Sequence, residues 1–379
     1  MPWRKVSIMD QRREFIAFAR QEGANISELC RRFGISRTTA YKWLRRAQQE
    51  GETFQDRSRR PHRQPRRTPP EMEQRILEVR ARHPAWGARK ICSWLKRRGV
   101  LEVPSASTIH AVLQRHDCLL QPTPAQAYDR FEHPRPNTLW QMDFKGHVPL
   151  GDGRRLHPLA ALDDHSRFCV TLEACPNEQR GSVQASLERA FRRYGLPGAL
   201  YMDNGSPWGT AGRAERWTRF DVWLLKLGVR VIHGRPYHPQ GRGKIERFHR
   251  TLKSEALSAR PLADLHQARR RLRRWRHTYN FERPHEQLGM RTPAEAYTPS
   301  SRPFPSRMPE IEYDEGEIVR KVSNVQPEIW FHNRTFRFRV PKAFLGEHLA
   351  IRPTQTEGCY QVCFGAVVIQ NIDLKNEPD

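Results

Sequence analysis

Between residues 10 and 50, apolar side chains fall three or four positions apart in three successive stretches, the period of amphipathic helices. Phe15, Ile16 and Ala19 give the first helix its apolar face. Ser27 to Phe33 reads as a short second helix and Gly34-Ile35 as a turn. Ser36 is placed to cap a third helix that carries Ala40, Trp43 and Leu44 inward. A short helix, a turn with Gly and a longer helix form the helix-turn-helix pattern. Its last helix turns Arg37, Thr38, Thr39 and Lys42 outward, residue types that suit phosphates and base edges. The same period returns over 70–118. Pro70 opens a helix with Ile76, Leu77 and Val79, His83-Pro84-Ala85-Trp86-Gly87 breaks it, and Ala88 to Arg98 turns Ile91, Trp94 and Leu95 inward. Ser105 or Ser107 caps a third helix through Val112 and Leu113, which makes a second helix-turn-helix unit.

From residue 137 the pattern changes to strands alternating with helices. Thr138 to His147, Leu156 to Leu162 and Phe168 to Leu172 read as strands. Ser182 to Tyr194 is an amphipathic helix, Gly198 to Met202 a short buried strand, Trp217 to Leu227 a helix, Val229 to His233 a strand, and Gly243 starts another helix. This order predicts an α/β domain over 137–300. After residue 308 short alternating strands (317–320, 329–331, 335–340 and 359–364) predict a small β-barrel over 308–379. It carries no evident chemistry and reads as a module contacting DNA or a partner. The chain is therefore multidomain: all-α units at 1–50 and 70–118, an α/β core, a C-terminal β domain, and linkers at 51–69 and 119–136.

Charge sharpens this picture. The 379 residues hold 66 Lys and Arg against 41 Asp and Glu, a net charge of +25. Such a surface repels itself unless a polyanion neutralises it, and nucleic acid is the commonest such partner. The first linker concentrates Arg57, Arg59, Arg60, Arg63, Arg66 and Arg67 with two Pro. It either tracks a phosphate backbone or minor groove or is a passive solvated tether. A helix from Ala268 to Tyr279 sets six Arg around a seam of Leu272, Trp275 and Tyr279, as a surface helix lying on DNA does. Seven scattered Cys argue against a disulfide framework and for a reducing compartment. Cys359 and Cys363 read as small apolar strand residues, not zinc ligands. With no apolar run near ~20 residues and no secretory h-region, a cytosolic protein without a membrane partner is expected.

Three carboxylates stand out by context. Asp143 lies inside the strand Leu139-Trp140-Gln141-Met142-Asp143-Phe144, and Asp203 ends Leu200-Tyr201-Met202 before Asn204-Gly205-Ser206. Glu246 opens a helix after Pro239-Gln240-Gly241-Arg242-Gly243. An acid in a buried strand is costly unless paired or metal-bound, and open α/β sheets place their sites at the carboxyl ends of strands. Carboxylate oxygens suit Mg²⁺ or Mn²⁺, and two such ions can serve both oxygens of a phosphoryl transfer. With 41 acidic residues, however, a triple alone decides little. Arg250 and Lys253 share the face of Glu246 at i+4 and i+7, gripping phosphate or forming a solvated basic stripe. Asp163 and Asp164, before His165-Ser166-Arg167, read as a turn. His238 and His285 read as packed or capping residues.

At these residues the chain resembles bacterial insertion-sequence transposases of the DDE type, which have a retroviral-integrase-like, RNase H-fold core. The strings that carry the resemblance are Leu139 to Phe144, Met202 to Pro207, Pro236 to His249, and Tyr279 to Leu288 with Thr292-Pro293-Ala294. Upstream, Trp86 to Ile91 and the first helix-turn-helix join them. The resemblance implies that Asp143, Asp203 and Glu246 are catalytic and hold two Mg²⁺ or Mn²⁺ ions, Asp143 and Asp203 sharing one and Asp143 and Glu246 the other. It implies that water frees a 3′-OH at the transposon end, and that this 3′-OH attacks target DNA by transesterification. The N-terminal modules would bind the terminal inverted repeats. A homo-oligomer, at least a dimer, would pair two ends in the bacterial cytosol or nucleoid. Lys244 joins Arg250 and Lys253 as an expected DNA contact. One departure is visible: 42 residues separate Asp203 from Glu246, more than is usual in the family. The excess fits an insertion near Trp208 to Trp217, on a loop over the site, tolerable there if that loop is exposed; Glu215 within it lacks the Gly-rich lead-in and the basic helix of Glu246. No zinc is expected, since the paired His and Cys of retroviral integrases are missing from the N-terminal region. The competing readings are a non-catalytic helix-turn-helix regulator, binding DNA without Mg²⁺, and a nuclease on the same fold that cuts without joining.

Overall fold

The computed structural model describes residues 7–49, 54–56, 67–119, 132–203, 205, 208, 217–234, 243–258, 261–331 and 336–374. Two compact units divide the chain at Arg67 and Thr68. In the first, α1 (Ile8–Ala19), α2 (Ile26–Phe33) and α3 (Arg37–Gln49) enclose Phe15, Ile16, Cys30, Ala40 and Trp43. Each helix starts on a local cap. Ser7 and Asp10 form a capping box on α1, and the Asn25 side chain accepts from Ser27 N and Glu28 N on α2. Ser36 Oγ accepts from Thr39 N at 3.2 Å at the start of α3. Gly34, at φ 64°, ends α2 in the left-handed region that a side chain resists. The expected helix-turn-helix is present as α2, turn and α3. Arg57, Arg59, Arg60, Arg63 and Arg66 lie outside the described residues.

The second unit begins with α4 (Pro70–Arg82), α5 (Ala88–Arg97) and α6 (Ala106–Arg115) around Ile76, Trp86, Ile91, Ile109 and Leu113. Pro70 takes the first helical position of α4, where no amide is missed. Of the two serines considered for α6, Ser105 is the cap, accepting from Thr108 N at 3.2 Å. This trio docks on the end of the core. Arg97 meets Glu295 at 2.7 Å and Met290 O at 3.0 Å, and Arg98 meets Glu282 at 3.5 Å.

The core sheet is built from β1 (Trp140–Phe144), β2 (Val148–Pro149), β3 (Arg155–Asp163), β4 (Cys169–Cys175), β5 (Ala199–Met202) and β6 (Arg230–His233). The order is β4-β3-β1-β5-β6, with β2 beside the start of β3. The β4-β3-β1 part is antiparallel, and β1-β5-β6 is parallel. The helices α7 (Arg180–Tyr194) and α8 (Arg219–Lys226) cover one face, where Trp140, Met142, Leu187, Phe191 and Leu224 meet. The other face is covered by α9 (Gly243–Leu252) and α10 (Leu265–His277) over Leu156, Ala160, Leu162, Phe248, Leu272 and Trp275. Alternation along β1 and β3 divides their side chains between these two cores, as a two-sided sheet requires.

The C-terminal region departs from expectation. It holds β7 (Ile318–Lys321), β8 (Glu328–Phe331), β9 (Phe336–Arg339), β10 (His348–Pro353), β11 (Cys359–Phe364) and β12 (Val367–Asp373). These pair as a four-stranded sheet, β12-β11-β10-β7, and a separate β8-β9 hairpin. Among the described residues they do not close into a barrel. The physical reason is visible in α8, whose Val222 and Leu225 enter the same core as Ile329, Phe338, Phe344, Ile351 and Val362. A helix of the α/β domain thus supplies a wall that a barrel would have made from strands. Lys226 of α8 also pairs with Glu347 at 2.7 Å. No helix among the described residues is long and apolar enough to cross a membrane.

His83 ties pH to the stability of the second unit. Its ring stacks on Trp86 at 3.8 Å. Burial first, then Arg82, Arg283 and Arg98, pushes its pKa down from 6.5 to about 4. Between those values the unfolded chain takes a proton that the folded chain refuses, so stability falls as pH falls through that window. His83→Phe keeps a ring on Trp86 and removes the titration. Its unfolding midpoint is expected to drop less than that of the unsubstituted protein between about pH 6.5 and about pH 4. Parallel losses in a thermal melt series would show that His83 is not the titrating group.

Candidate active site

The strand pair at the centre of the sheet positions two of the three carboxylates. The parallel register of β1 and β5 pairs Trp140 with Leu200 and Gln141 with Tyr201. The same offset, carried two residues on, sets Asp143 beside Asp203, the residue just past β5. Trp140, Met142, Leu200 and Met202 all enter the core under α7 and α8. Gln141, Asp143 and Asp203 therefore leave the opposite face. Neighbouring strands lie roughly 4.8 Å apart, so two acids emerge side by side at the carboxyl ends of parallel strands.

Each acid is held. Asp203 Oδ1 accepts from Gly205 N at 3.0 Å and Trp208 Nε1 at 2.7 Å. Trp208 is itself buried and stacks on Phe144 at 5.3 Å. The carbonyl of Asp203 lies 3.1 Å from His233 Nδ1, and His233 Nε2 lies 3.2 Å from the buried carboxylate of Asp221. Asp143 Oδ2 lies 3.6 Å from Nδ1 of the buried His249 on α9. Ile245, Phe248 and Leu252 seat α9 in the core. Glu246 is exposed in its first turn, three residues before His249 and so about 4.5 Å earlier along the axis.

The fold brings Asp143 and Asp203 together and sets Glu246 one helical turn from the Asp143 contact. Among the described residues no three His, Cys, Asp or Glu side chains form a ready cluster for a metal ion. The donor chemistry nevertheless fits Mg²⁺, which keeps several waters and binds through one or two carboxylates together with substrate phosphates.

The expected DNA contacts sort differently. Arg37, Thr38 and Lys42 are exposed on α3. Thr39 is half-buried, and its hydroxyl bonds Ser36 Oγ at 2.9 Å, so it belongs to the cap. Arg67, Arg250 and Lys253 are exposed. Lys244 is half-buried and paired: its ammonium lies 2.6 Å from Asp164 Oδ1, and Asp164 is 1% exposed. Burial works against ionisation of Asp164, but Lys244 and His133 outweigh it and hold that carboxyl below its usual range. For Asp163, burial wins over hydrogen bonds from Ser166 and Asn137, and the carboxyl is held above that range. These aspartates do flank a turn, but as buried hubs. Gln141, Trp208, His233 and His249 also surround the carboxylates and are not among the site residues expected from the sequence. Two had a legible signal: Gln141 shares the strand face of Asp143, and His249 stands at i+3 from Glu246.

Comparison with known proteins fits this geometry. Models described as integrase core domain match residues 133–239 and 227–293. A helix-turn-helix domain matches 11–62, a homeodomain-like domain 39–113, and the C-terminal domain of IS481 family transposases 319–379. A protein of insertion element IS407 from Burkholderia multivorans is 31% identical over 160 residues, 42% of this chain and 55% of that protein. One of insertion element IS476 from Xanthomonas euvesicatoria is 31% identical over 160 residues, 44% of its length. The Gag-Pro-Pol polyprotein of squirrel monkey retrovirus is 32% identical over 119 residues, 6% of its length. The chain thus spans about half the length of the insertion-element relatives it matches.

Trp208→Phe tests the support of Asp203. It keeps an aromatic ring for Phe144 and removes the indole donor. Folding stability is expected to fall by roughly 1.5–3 kcal/mol, the range for a hydrogen bond to a charged group, measured by urea unfolding near neutral pH. Unchanged stability would show that the bond contributes nothing net.

Proposed function

We propose, from the matches to integrase core domains and to insertion-element proteins, that the chain is an insertion-sequence transposase that cleaves and joins DNA at Asp143, Asp203 and Glu246. The observation that carries this reading is the parallel register that sets Asp143 beside Asp203 on one face of the sheet. In this reading Asp143 and Asp203 hold one divalent cation, and Asp143 with Glu246 holds a second. Mg²⁺ or Mn²⁺ held there would supply Lewis-acid activation of an attacking oxygen and charge stabilisation of a leaving oxygen at a phosphodiester. The chain's own part is placement. The strand ends fix two carboxylates in a partly buried setting, and Trp208 and Gly205 orient Asp203. Arg250 and Lys253, exposed on the helix of Glu246, draw in the DNA backbone.

The helix-turn-helix units bind transposon-end inverted repeats, the first through Arg37, Thr38 and Lys42. Water attacks a phosphodiester at the transposon end and breaks its P–O3′ bond, leaving a 3′-OH and a 5′-phosphate; that 3′-OH then attacks a target phosphodiester, joining to its phosphorus and displacing a target 3′-OH. Two ends are paired by a homo-oligomer, at least a dimer.

The test joins labelled end duplexes to a plasmid target with Mn²⁺. Asp203→Asn and Glu246→Gln are expected to lower joining by at least about a thousandfold, since direct ligands carry several kcal/mol of transition-state stabilisation, and to leave end binding intact. Joining at the unsubstituted rate in either variant overturns the assignment. Cutting without joining in the unsubstituted protein favours a nuclease instead. A second expectation concerns affinity: replacing Arg37 and Lys42 together with Ala should lower the slope of log K against log salt by about 2, if both bind phosphate. An unchanged slope would remove them from the phosphate contacts.

A further inference from the structure

The chain enters α9 from β6, at the edge of the sheet and two strands away from the strand of Asp143, so the connection alone does not set Glu246 against Asp143. Contacts at α9 itself must do it. Lys244 and Ile245 immediately precede Glu246, and both are tied to the strand of Asp143 or to the turn beside it. Lys244 Nζ lies 2.6 Å from Asp164 Oδ1 and donates to Asp164 O at 3.2 Å. Gln141 Nε2 donates to the same Oδ1 at 2.8 Å. Gln141 Oε1 accepts from Ile245 N at 3.4 Å. The second oxygen of Asp164 is occupied by His133, through N at 2.9 Å and Nδ1 at 3.1 Å. Gln141 is 2% exposed and sits two residues before Asp143 on the same face of β1.

The geometry points to a clamp in which Lys244, Asp164 and Gln141 are positioning residues that set Glu246 against Asp143. This inference rests on the reading of Glu246 as the third metal-holding carboxylate. A buried ion pair is a poor stabiliser, since desolvation offsets most of its attraction, and fixing a register is its better-attested use. Here one carboxylate gathers the ammonium before Glu246 and the amide side chain before Asp143. The same side chain that holds Asp164 also accepts the helix amide adjacent to Glu246. Lys244 is thereby withdrawn from the DNA contacts, in contrast with Arg250 and Lys253 on the same helix.

The test measures Mn²⁺ binding to the full chain without DNA, by the loss of the free-ion resonance signal, beside unfolding midpoint and end-duplex affinity. Lys244→Met is expected to weaken Mn²⁺ binding about tenfold, as loss of an outer support of a metal ligand does, with end affinity unchanged. Lys244→Arg restores part of the loss. In the Glu246→Gln background the same substitution has no further effect, because Lys244 acts through Glu246. Should Lys244→Met fail to fold, Gln141→Met cuts the link to Ile245 N, leaves the ion pair in place and carries the same expectation. Unchanged Mn²⁺ binding overturns the clamp. So does an equal loss in the Glu246→Gln background, or a weakened end affinity with a salt slope lower by about 1, the mark of a phosphate contact. If Glu246→Gln itself binds Mn²⁺ like the unsubstituted protein, the assignment of Glu246 fails before the clamp is in question.

Discussion

The candidate site depends on the parallel pairing of β1 with β5. A strand alternates its side chains, so a slip of one residue would exchange every inward and outward position. Trp140 and Met142 on β1, with Leu200 and Met202 on β5, are all buried in the core beneath α7 and α8. A slip would send Asp143 and Gln141 into that apolar core and strand two large side chains outside it. The apolar residues thus enforce the register, and the register puts Asp143 beside Asp203. Carboxylates that repel one another are held adjacent by the packing of their neighbours.

The helical and central strand elements were legible because their periods are clean. The strands around Asp143 and Asp203 are short, apolar and bounded, and α7, α9 and α10 keep a stripe three or four residues apart. Less was legible where the deciding contact is distant in sequence. His348–Pro353 is a strand that ends in Arg and Pro, a signature that reads as a loop until β7 and β11 flank it. The barrel was inferred from strand spacing alone, and spacing says nothing of α8 entering that core. Lys244 looks like the other cations of its helix; only Asp164, eighty positions earlier, separates it from them. Asp163 and Asp164 have the composition of an exposed turn, and their burial follows from Asn137, His133 and Lys244 closing over them.

Positive charge is likewise divided by packing. The helix α10 contains six Arg and no acid, so its i,i+4 neighbours repel. It is held by Leu272 and Trp275, with Tyr279 just beyond it. Arg271 and Arg276 turn back to the carbonyls of Ala256 and Val170, while Arg269, Arg270, Arg273 and Arg274 stay exposed. The inward pair stabilises the fold and the outward set burdens it. An outward set of one sign is the arrangement that a bound polyanion relieves.

The helix α8 links the C-terminal strands to the carboxylates. A helix apolar all round is a buried one, and every residue from Phe220 to Leu225 is buried. Phe220, Trp223 and Leu224 pack under the sheet, whereas Val222 and Leu225 pack with the C-terminal strands. Asp221, between these two faces, caps its own helix through Thr218 and reaches His233, which meets the carbonyl of Asp203. The backbone that presents Asp203 therefore leans on a helix seated by two cores at once. Loss of the C-terminal strands would expose Val222 and Leu225 and loosen the helix from which that support comes. In that sense the C-terminal region belongs to the architecture of the site, although none of its residues approaches Asp143 or Asp203 in the contacts described.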